Sequence, residues 1–518
     1  MQTTFKTAEN VLLGEFHRDH MRSLFLAFWG VLVLASGLYA QAVGPLQVHS
    51  SNPRYFTDGS GRVVYLTGAH TWENLMDSGL TDPPPVFDYN GYLDFLQSHN
   101  HNFFRLWRAE NAKGGETTDN YWFSPLPYAR TGPGKGLDGK PKFDLTQFDQ
   151  AYFDRMRSRV QAAGQRGIYV SIMLFDGWSV VSKVSAHHPW IGHPFNGSNN
   201  INGINGDSNG NGSGEEIQTL SSSTVTSLEE TYVRKVVDTV NDLDNVLYEI
   251  SNESEGGATQ WQYHMISYIK SYEAGKAKQH PVGMTVEWPG GNNAELFASP
   301  ADWISPNGDV NNPMVGDGRK VIVNDTDHLC GICGDRSWVW KSFTQGLNPI
   351  FMDPYTAGTT ARGSITGYDP NNNNDVSIRK NLGYALSYAN RMNLAAMTPH
   401  PELASTGFCL ANPSSQGAEY LVFVPPYRPI TAVLEYFGVH NRLSNMIEIP
   451  LSTEIRVDLS SDSGTLSVEW FDPTTGEVMD GGVIKGGSRQ SFSTPRWRGA
   501  LLHLFEGSCD HGLARMPK

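Results

Sequence analysis

Between about residues 60 and 400, short apolar runs rich in branched and aromatic side chains alternate with longer stretches of helical period. The runs are "RVVYLTGAHTW", "HNFFRLWRAEN", "GIYVSIMLFDGW", "NVLYEISNESE", "PVGMTVEWPGG", "ADWISPNGD", "KVIVNDTDH" and "NPIFMDPY". Between them, "FDQAYFDRMRSRVQAAGQRG" places Phe148, Tyr152, Met156 and Val160 four apart and ends at glycine. "SLEETYVRKVVDTVNDLDN" and "QWQYHMISYIKSYEAGK" behave alike, and all three predict helices. Strands alternating with helices form parallel βα units. Eight of them predict an α/β fold, a closed (β/α)8 TIM barrel over residues 43–404. An open doubly wound sheet would want a glycine-rich phosphate turn after the first strand, where this chain has "TGAHTWEN". From about residue 405 the period changes. "AEYLVFVP", "TEIRVDLS", "LSVEWFDPTTGEVMDGG", "SRQSFSTP" and "GALLHLFE" are short strands with turn residues between them. They predict a small all-β sandwich over 405–508, followed by a loose tail at 509–518.

The length of 518 residues suits one barrel plus a smaller module, and 39% hydrophobic content supplies its core. The net charge of −14 repels phosphate backbones, so nucleic acid is not an expected partner. Arg22 precedes "SLFLAFWGVLVLASGLYA", which ends near Ala40-Gln41-Ala42. This reads as an export signal over residues 1–42, with Met21 as an alternative start. The run is shorter than the roughly 20 apolar residues of a membrane span. The expected location is therefore secreted or periplasmic, with no stable membrane insertion after processing. Four cysteines leave stability to the core. Cys330 and Cys333 form C-x-x-C, read as a local disulfide or two thiols, and Cys409 and Cys509 leave pairing open.

A polar insert, "NGSNNINGINGDSNGNGSG", follows the third run at residues 196–214. Asp207, Asn209 and Asn211 before Gly212 resemble the start of a calcium loop, but the twelfth position is Gln218 rather than glutamate. The expectation is an ordinary or substrate-lining loop, with no metal and no cofactor. His70, His188 and His193 lack HExxH-type spacing, and no G-x-S-x-G elbow is present.

On a (β/α)8 barrel, reactive residues collect at the C-terminal strand ends. Here those ends carry Trp72 and Glu73, Arg105, Asp176 and Trp178, Asn252 and Glu253, Glu287 and Trp288, Asn307 and Asp309, Asp325 and Asp327, and Asp353 and Tyr355. Converging carboxylates and tryptophans are what glycosidic cleavage needs. One carboxyl protonates the leaving oxygen, and another attacks the anomeric carbon or activates water. Like charges help raise the pKa of the donor.

"NVLYEISNESEGG" resembles the fourth-strand Asn-Glu signature of clan-A glycoside hydrolases. The order of an opening hairpin, "NFFRLW", Asn-Glu and a β-rich tail is most similar to the apiosidase-like branch. "VEWFDPTTGEVMDGGVIKGG" resembles the C-terminal module of that branch that carries the name collagen-binding domain. The resemblance implies that Glu253 is the acid/base and that Asn252 binds the sugar hydroxyl beside the reacting carbon. The clan's nucleophile is a glutamate after the seventh strand. This chain has none there, so Asp325 is expected to take the role, with Asp327 second. If Asp327 reacts instead, Asp325 orients His328 or a sugar hydroxyl. Arg105 is expected to hold a catalytic carboxylate ionised. Trp72, Asp176, Trp178, Glu287, Trp288, His328, Asp353 and Tyr355 are expected to line the substrate cleft, with Glu287 divided between sugar binding and ion pairing. Glu249 reads as a polar layer inside the barrel and Glu255 as a solvated loop acid. The expected function is an exported glycoside hydrolase acting on a plant or microbial polysaccharide. The alternative is an inactive sugar-binding or matrix-adhesion protein on the same scaffold.

Overall fold

In the computed structural model, which describes residues 41–115, 120–183, 187–355, 371–428 and 448–507, all eight runs contribute a parallel strand to one sheet. They are β1 (Gly68–His70), β2 (Phe103–Leu106), β3 (Tyr169–Asp176), β4 (Val246–Asn252), β5 (Val282–Thr285), β6 (Trp303–Ser305), β7 (Val321–Asp325) and β8 (Asn348–Met352). The sheet runs β1-β8-β7-β6-β5-β4-β3-β2, and its two outer strands meet to bring the barrel almost to closure. Glycine is required at that seam, because a Cβ on Gly68 would lie 2.1 Å from the Phe103 carbonyl oxygen. Residues 1–40 of the expected export segment, Cys509 and the tail lie outside the described residues. No described helix is long and apolar enough to cross a membrane.

The strands form because both their faces are covered. Every residue of β3 and β4 is buried, as befits a parallel sheet wrapped by helices. The helices around it include α1 (Tyr89–Ser98), α2 (Gln150–Gly164), α3 (Ser223–Val240) and α4 (Thr259–Glu273). Asp149 caps α2 and Ser222 caps α3 through side-chain oxygens that accept backbone N–H groups. The first run is not one strand. Its start, Val63–Val64, pairs into a small antiparallel sheet with Phe56–Thr57 and Gln47–Val48, and only Gly68–His70 enters the barrel. Leu46 and Phe56 from this hairpin join Trp303, Leu247, Val321 and Ile350 in a cluster that plugs the N-terminal end of the barrel.

After β7 come the short α6 (Thr326–Cys330), which follows α5 (Asn293–Ala298), and then α7 (Arg336–Thr344) and α8 (Asn373–Arg391). Cys330 and Cys333 form a disulfide just beyond α6, and Cys409 is a buried thiol. The chain then folds into β9 (Thr398–Pro399), β10 (Cys409–Asn412), β11 (Glu419–Val424), β12 (Glu454–Asp458), β13 (Thr465–Phe471), β14 (Val478–Lys485), β15 (Arg489–Ser493) and β16 (Ala500–Glu506). Six of these form an antiparallel sheet in the order β9-β10-β11-β16-β13-β14, while β12 and β15 pair separately. Ile455, Val457 and Phe492 of the smaller sheet pack on Tyr420, Val422, Leu466, Val468 and Leu502 of the larger one. The opposite face of the larger sheet does not meet solvent throughout. Leu421, Phe471 and Leu501 belong to the same hydrophobic core as the barrel helices. The Phe471 ring lies 5.8 Å from Trp340 of α7 and 5.3 Å from Tyr388 of α8.

Candidate active site

Arg105, near the end of β2, organises the C-terminal mouth of the barrel. Its side chain is buried, and a lone buried cation is very unfavourable, so partners must surround it. Its Nε and Nη2 donate to the two oxygens of Glu249 at 2.8 and 2.5 Å. Nη2 also donates to Asn252 Oδ1 at 2.6 Å. Nη1 donates to Asp325 Oδ2 at 3.0 Å and to Asp327 Oδ2 at 2.9 Å. Burial opposes the guanidinium charge, but the carboxylates of Glu249 and Asp325 outweigh it and hold the pKa above the ordinary arginine range. Glu249 is thus the polar layer inside the barrel.

The two aspartates after β7 differ in setting. Asp325 is wholly buried. Its Oδ1 is 3.1 Å from His70 Nε2 and accepts the Asp327 N–H at 2.9 Å, capping α6, while Oδ2 takes Arg105. Against the penalty of burial, His70 and Arg105 hold this carboxyl well below the usual range. His70 is itself stacked on Trp107, with ring centres 5.5 Å apart. Asp327 stands in the first turn of α6 and is only partly buried. His328, one residue on, is neutralised by burial and by Arg105, which lower its pKa. Its Nε2 faces Asn252 Oδ1 at 3.3 Å and its Nδ1 faces Ser305 Oγ at 2.6 Å. A carbonyl oxygen only accepts, so Nε2 carries the hydrogen and Nδ1 accepts from Ser305. The same logic fixes Asn252. Its Oδ1 accepts from Arg105 and His328, and its buried Nδ2 has no partner among the described residues. An amide donor at the end of β4 is therefore left with its hydrogen bonds unspent.

Glu253 follows at the end of β4 with φ of 43°, a left-handed conformation that is uncommon for a non-glycine residue and marks a position held by its surroundings. The bend is held by neighbours: the Glu253 carbonyl accepts Lys183 Nζ at 2.7 Å, and Gly177 packs so closely on it that a Cβ there would lie 2.1 Å away. The carboxyl accepts the Trp178 indole N–H at 2.5 Å. Burial and then the charge of Asp327 push its pKa up to about 8. Trp178 stacks on Trp288, with centres 5.4 Å apart and planes 6° from parallel. Lys183 lies over both rings and pairs with Glu255 at 3.0 Å. Glu255 is therefore tied to a cation rather than free in solvent. Trp288 keeps 40% of its surface exposed, an aromatic platform beside the acid. Trp72 joins Trp107 and Met173 in an apolar wall of the same mouth.

Other expected cleft residues are turned elsewhere. Glu287 accepts the Gly257 N–H at 3.1 Å and the Thr259 hydroxyl at 2.8 Å, at the start of α4. Asp176 accepts from Ser179 Oγ at 2.8 Å and caps its own turn. Asp353 is paired with Arg379 of α8. Tyr355 packs among Phe87, Tyr92 and Phe95. In the polar insert, Asp207 spends its carboxylate on the N–H groups of Gly210, Asn211 and Gly212, and Asn209 and Asn211 cap further turns. Among the described residues no three His, Cys, Asp or Glu side chains converge to hold a metal ion. Sequence reasoning missed His70 as a partner of Asp325, and Lys183 altogether. The only signal for His70 was its place at the end of β1; Lys183 lies in a loop with none.

Residues 109–288 match a family profile described as a domain of unknown function, DUF6298. No curated protein matches the sequence. Among solved structures, one described as a glycoside hydrolase aligns over 90% of this chain and 98% of its own, at 12% identity and a TM-score of 0.52. A glycoside hydrolase family 5 protein from Bacteroides vulgatus aligns over 91% and 96%, at 12% identity and a TM-score of 0.54. At that identity the likeness is one of fold: the chain is a TIM barrel with C-terminal antiparallel sheets, built like these glycoside hydrolases.

Proposed function

We propose that the protein is a glycoside hydrolase in which Glu253 protonates the glycosidic oxygen and Asp327 supplies the facing carboxylate. The observation that carries this is the separation of protonation states within one mouth. Glu253 is pushed up to about 8 by burial and by the Asp327 charge, while Asp325 is kept ionised by His70 and Arg105. A carboxyl held protonated by burial and by the charge of a second one in the same mouth is the pattern acid and base roles need, with Glu253 as the acid and Asp327 as the charge that acts on it. The sequence alone ranked Asp325 ahead of Asp327, and the geometry favours the reverse. Both Asp325 oxygens are engaged deep in the barrel, whereas Asp327 is partly open and acts on Glu253 through its charge. Asp325 then anchors Arg105, which in turn aims Asp327. The unspent Asn252 amide donates to a sugar hydroxyl, and the Trp288 ring supports a sugar face on the leaving-group side. Asp327 attacks the anomeric carbon or takes a proton from an attacking water. The N-terminal apolar run supports export, and the order from hairpin to β-rich tail supports the apiosidase-like branch.

The test begins with hydrolysis of a panel of plant and microbial glycans, following the anomeric form of the product by NMR. On the substrate found, Glu253→Gln and Asp327→Asn should each lower kcat by about 10²–10⁴-fold, the usual worth of one such group. The Glu253→Gln defect should shrink on aryl glycosides whose leaving group needs no proton, and the Asp327→Asn defect should not. Unaltered turnover in either variant would sink the assignment.

A further inference from the structure

Asp327 stands on a helix too short to hold itself. α6 runs only from Thr326 to Cys330. A single turn fixes many dihedrals for very few backbone hydrogen bonds, so it persists only where other contacts secure it. Its start is secured by the barrel. The Asp325 carboxylate accepts the Asp327 N–H at 2.9 Å, and the Thr326 hydroxyl oxygen accepts the Met352 N–H of β8 at 2.9 Å. Its far end is secured by the loop that follows. Gly331 turns the chain back with φ of 77°, and its N–H donates to the Thr326 carbonyl at 2.8 Å. Cys330, the last helical residue, is bonded to Cys333.

That loop reaches back to the mouth. Ile332, between the two cysteines, packs against the wall of Trp72, Trp107 and Met173. Beyond the loop, Asp335 accepts the Trp338 N–H at 3.0 Å, capping α7, and pairs with Arg428 at 2.6 Å. Closing so short a loop constrains the unfolded chain little, so the weight of the disulfide falls on local geometry. The group whose place depends on that geometry is the Asp327 carboxylate. Its Oδ2 accepts Arg105 Nη1 at 2.9 Å and lies 3.8 Å from His328 Nε2. Arg105 is also bound to Glu249, Asn252 and Asp325, so it cannot follow Asp327 if α6 shifts. A misplacement of about 1 Å at a reacting group can cost about 100-fold in rate.

We propose that the Cys330–Cys333 loop is the positioning device for the facing carboxylate: its disulfide fixes the end of α6, and Ile332 keys that end to the mouth wall, so that Asp327 keeps its place beside Arg105. The two cysteines and Ile332 are positioning residues that act through Asp327, and the inference rests on the reading of Asp327 as that carboxylate. Cys330 is exposed, so a soluble phosphine can reach the bond. The full chain is assayed on the substrate found in the glycan panel, before and after tris(2-carboxyethyl)phosphine, beside Cys330→Ala/Cys333→Ala and Ile332→Ala. Reduction and the double variant should each lower kcat about tenfold, and Ile332→Ala about threefold. The phosphine should do nothing further to the double variant, which excludes an effect through the other cysteines.

The pH profile separates positioning from mere loss of stability. The charge of Asp327 raises the pKa of Glu253, while the Trp178 hydrogen bond and the charges of Lys183 and Arg105 lower it. Of these groups only Asp327 stands on α6. When α6 drifts, the Glu253 pKa should fall from about 8, and the basic limb of kcat/KM should move to lower pH with it. A reduced chain whose limb stays in place would overturn the proposal, whatever its kcat. Titration of Glu253 by ¹³C NMR, assigned by its absence in Glu253→Gln, gives the same reading without turnover. A pKa unmoved by the phosphine would overturn the proposal. A pKa that falls, beside a fully active Asp327→Asn, would support the device and sink the catalytic reading instead.

Discussion

Glu253 keeps its proton through neutral pH, and that state has a thermodynamic signature. Its folded pKa of about 8 lies above the ordinary 4.5. The stability it lends is therefore fully present below about pH 4.5 and lost as pH rises through 8. A glutamine there never ionises, so Glu253→Gln should melt higher than wild type at pH 8 and equally at pH 4.5, as read by differential scanning calorimetry. Wild-type kcat/KM should fall above pH 8, where the proton donor is spent. The placement of Asn252 and Glu253 at the mouth was legible in the sequence because it follows from where β4 ends. The different settings of Asp325 and Asp327 were not. They depend on Arg105 and His70, which lie 220 and 255 positions from Asp325 along the chain, and no local pattern announces which oxygens a distant guanidinium will occupy.

At the scale of elements, the loop after β3 tunes the Glu253 carboxyl at the end of β4. The Trp178 N–H stabilises the charged form of Glu253, so it lowers the pKa that burial raises. Trp178→Phe keeps the ring stacked on Trp288 but removes that hydrogen bond. The basic limb of the pH–activity profile should then move to higher pH, and a limb that stays in place or moves down would contradict the geometry. All eight barrel strands and the three quoted helices were readable from period alone, because burial on both faces imposes continuous apolar runs. The break between Val64 and Gly68 was not readable. Val63, Val64 and Tyr65 suit a strand of either sheet, and only pairing with Phe56–Thr57 decides where the first ends. Glu287 and Asp353 also looked like cleft acids from strand position. Their side chains instead serve the start of α4 and Arg379 of α8, partners that belong to separate helices.

For the whole molecule, the pattern changes near residue 405, while the larger C-terminal sheet already begins with Thr398–Pro399, and the barrel and that sheet share one core. Phe471 is fully buried between α7, α8 and its own sheet. Phe471→Ala should cost about 3–5 kcal/mol, the usual range for emptying such a site. Because the ring bridges both parts, barrel and tail should lose stability together. A calorimetric scan in which only a minor, tail-specific transition shifts would contradict that coupling.

The same shared core bears on how such a protein can change over evolutionary time. A module joined by a bare linker can be exchanged between genes with little harm to either half. Here any recombination that replaced the tail would strip the apolar faces of α7 and α8, including Trp340 and Tyr388, of their cover. The barrel and its sheet should therefore travel as a pair, and new specificities should arise by altering loops at the mouth rather than by trading tails.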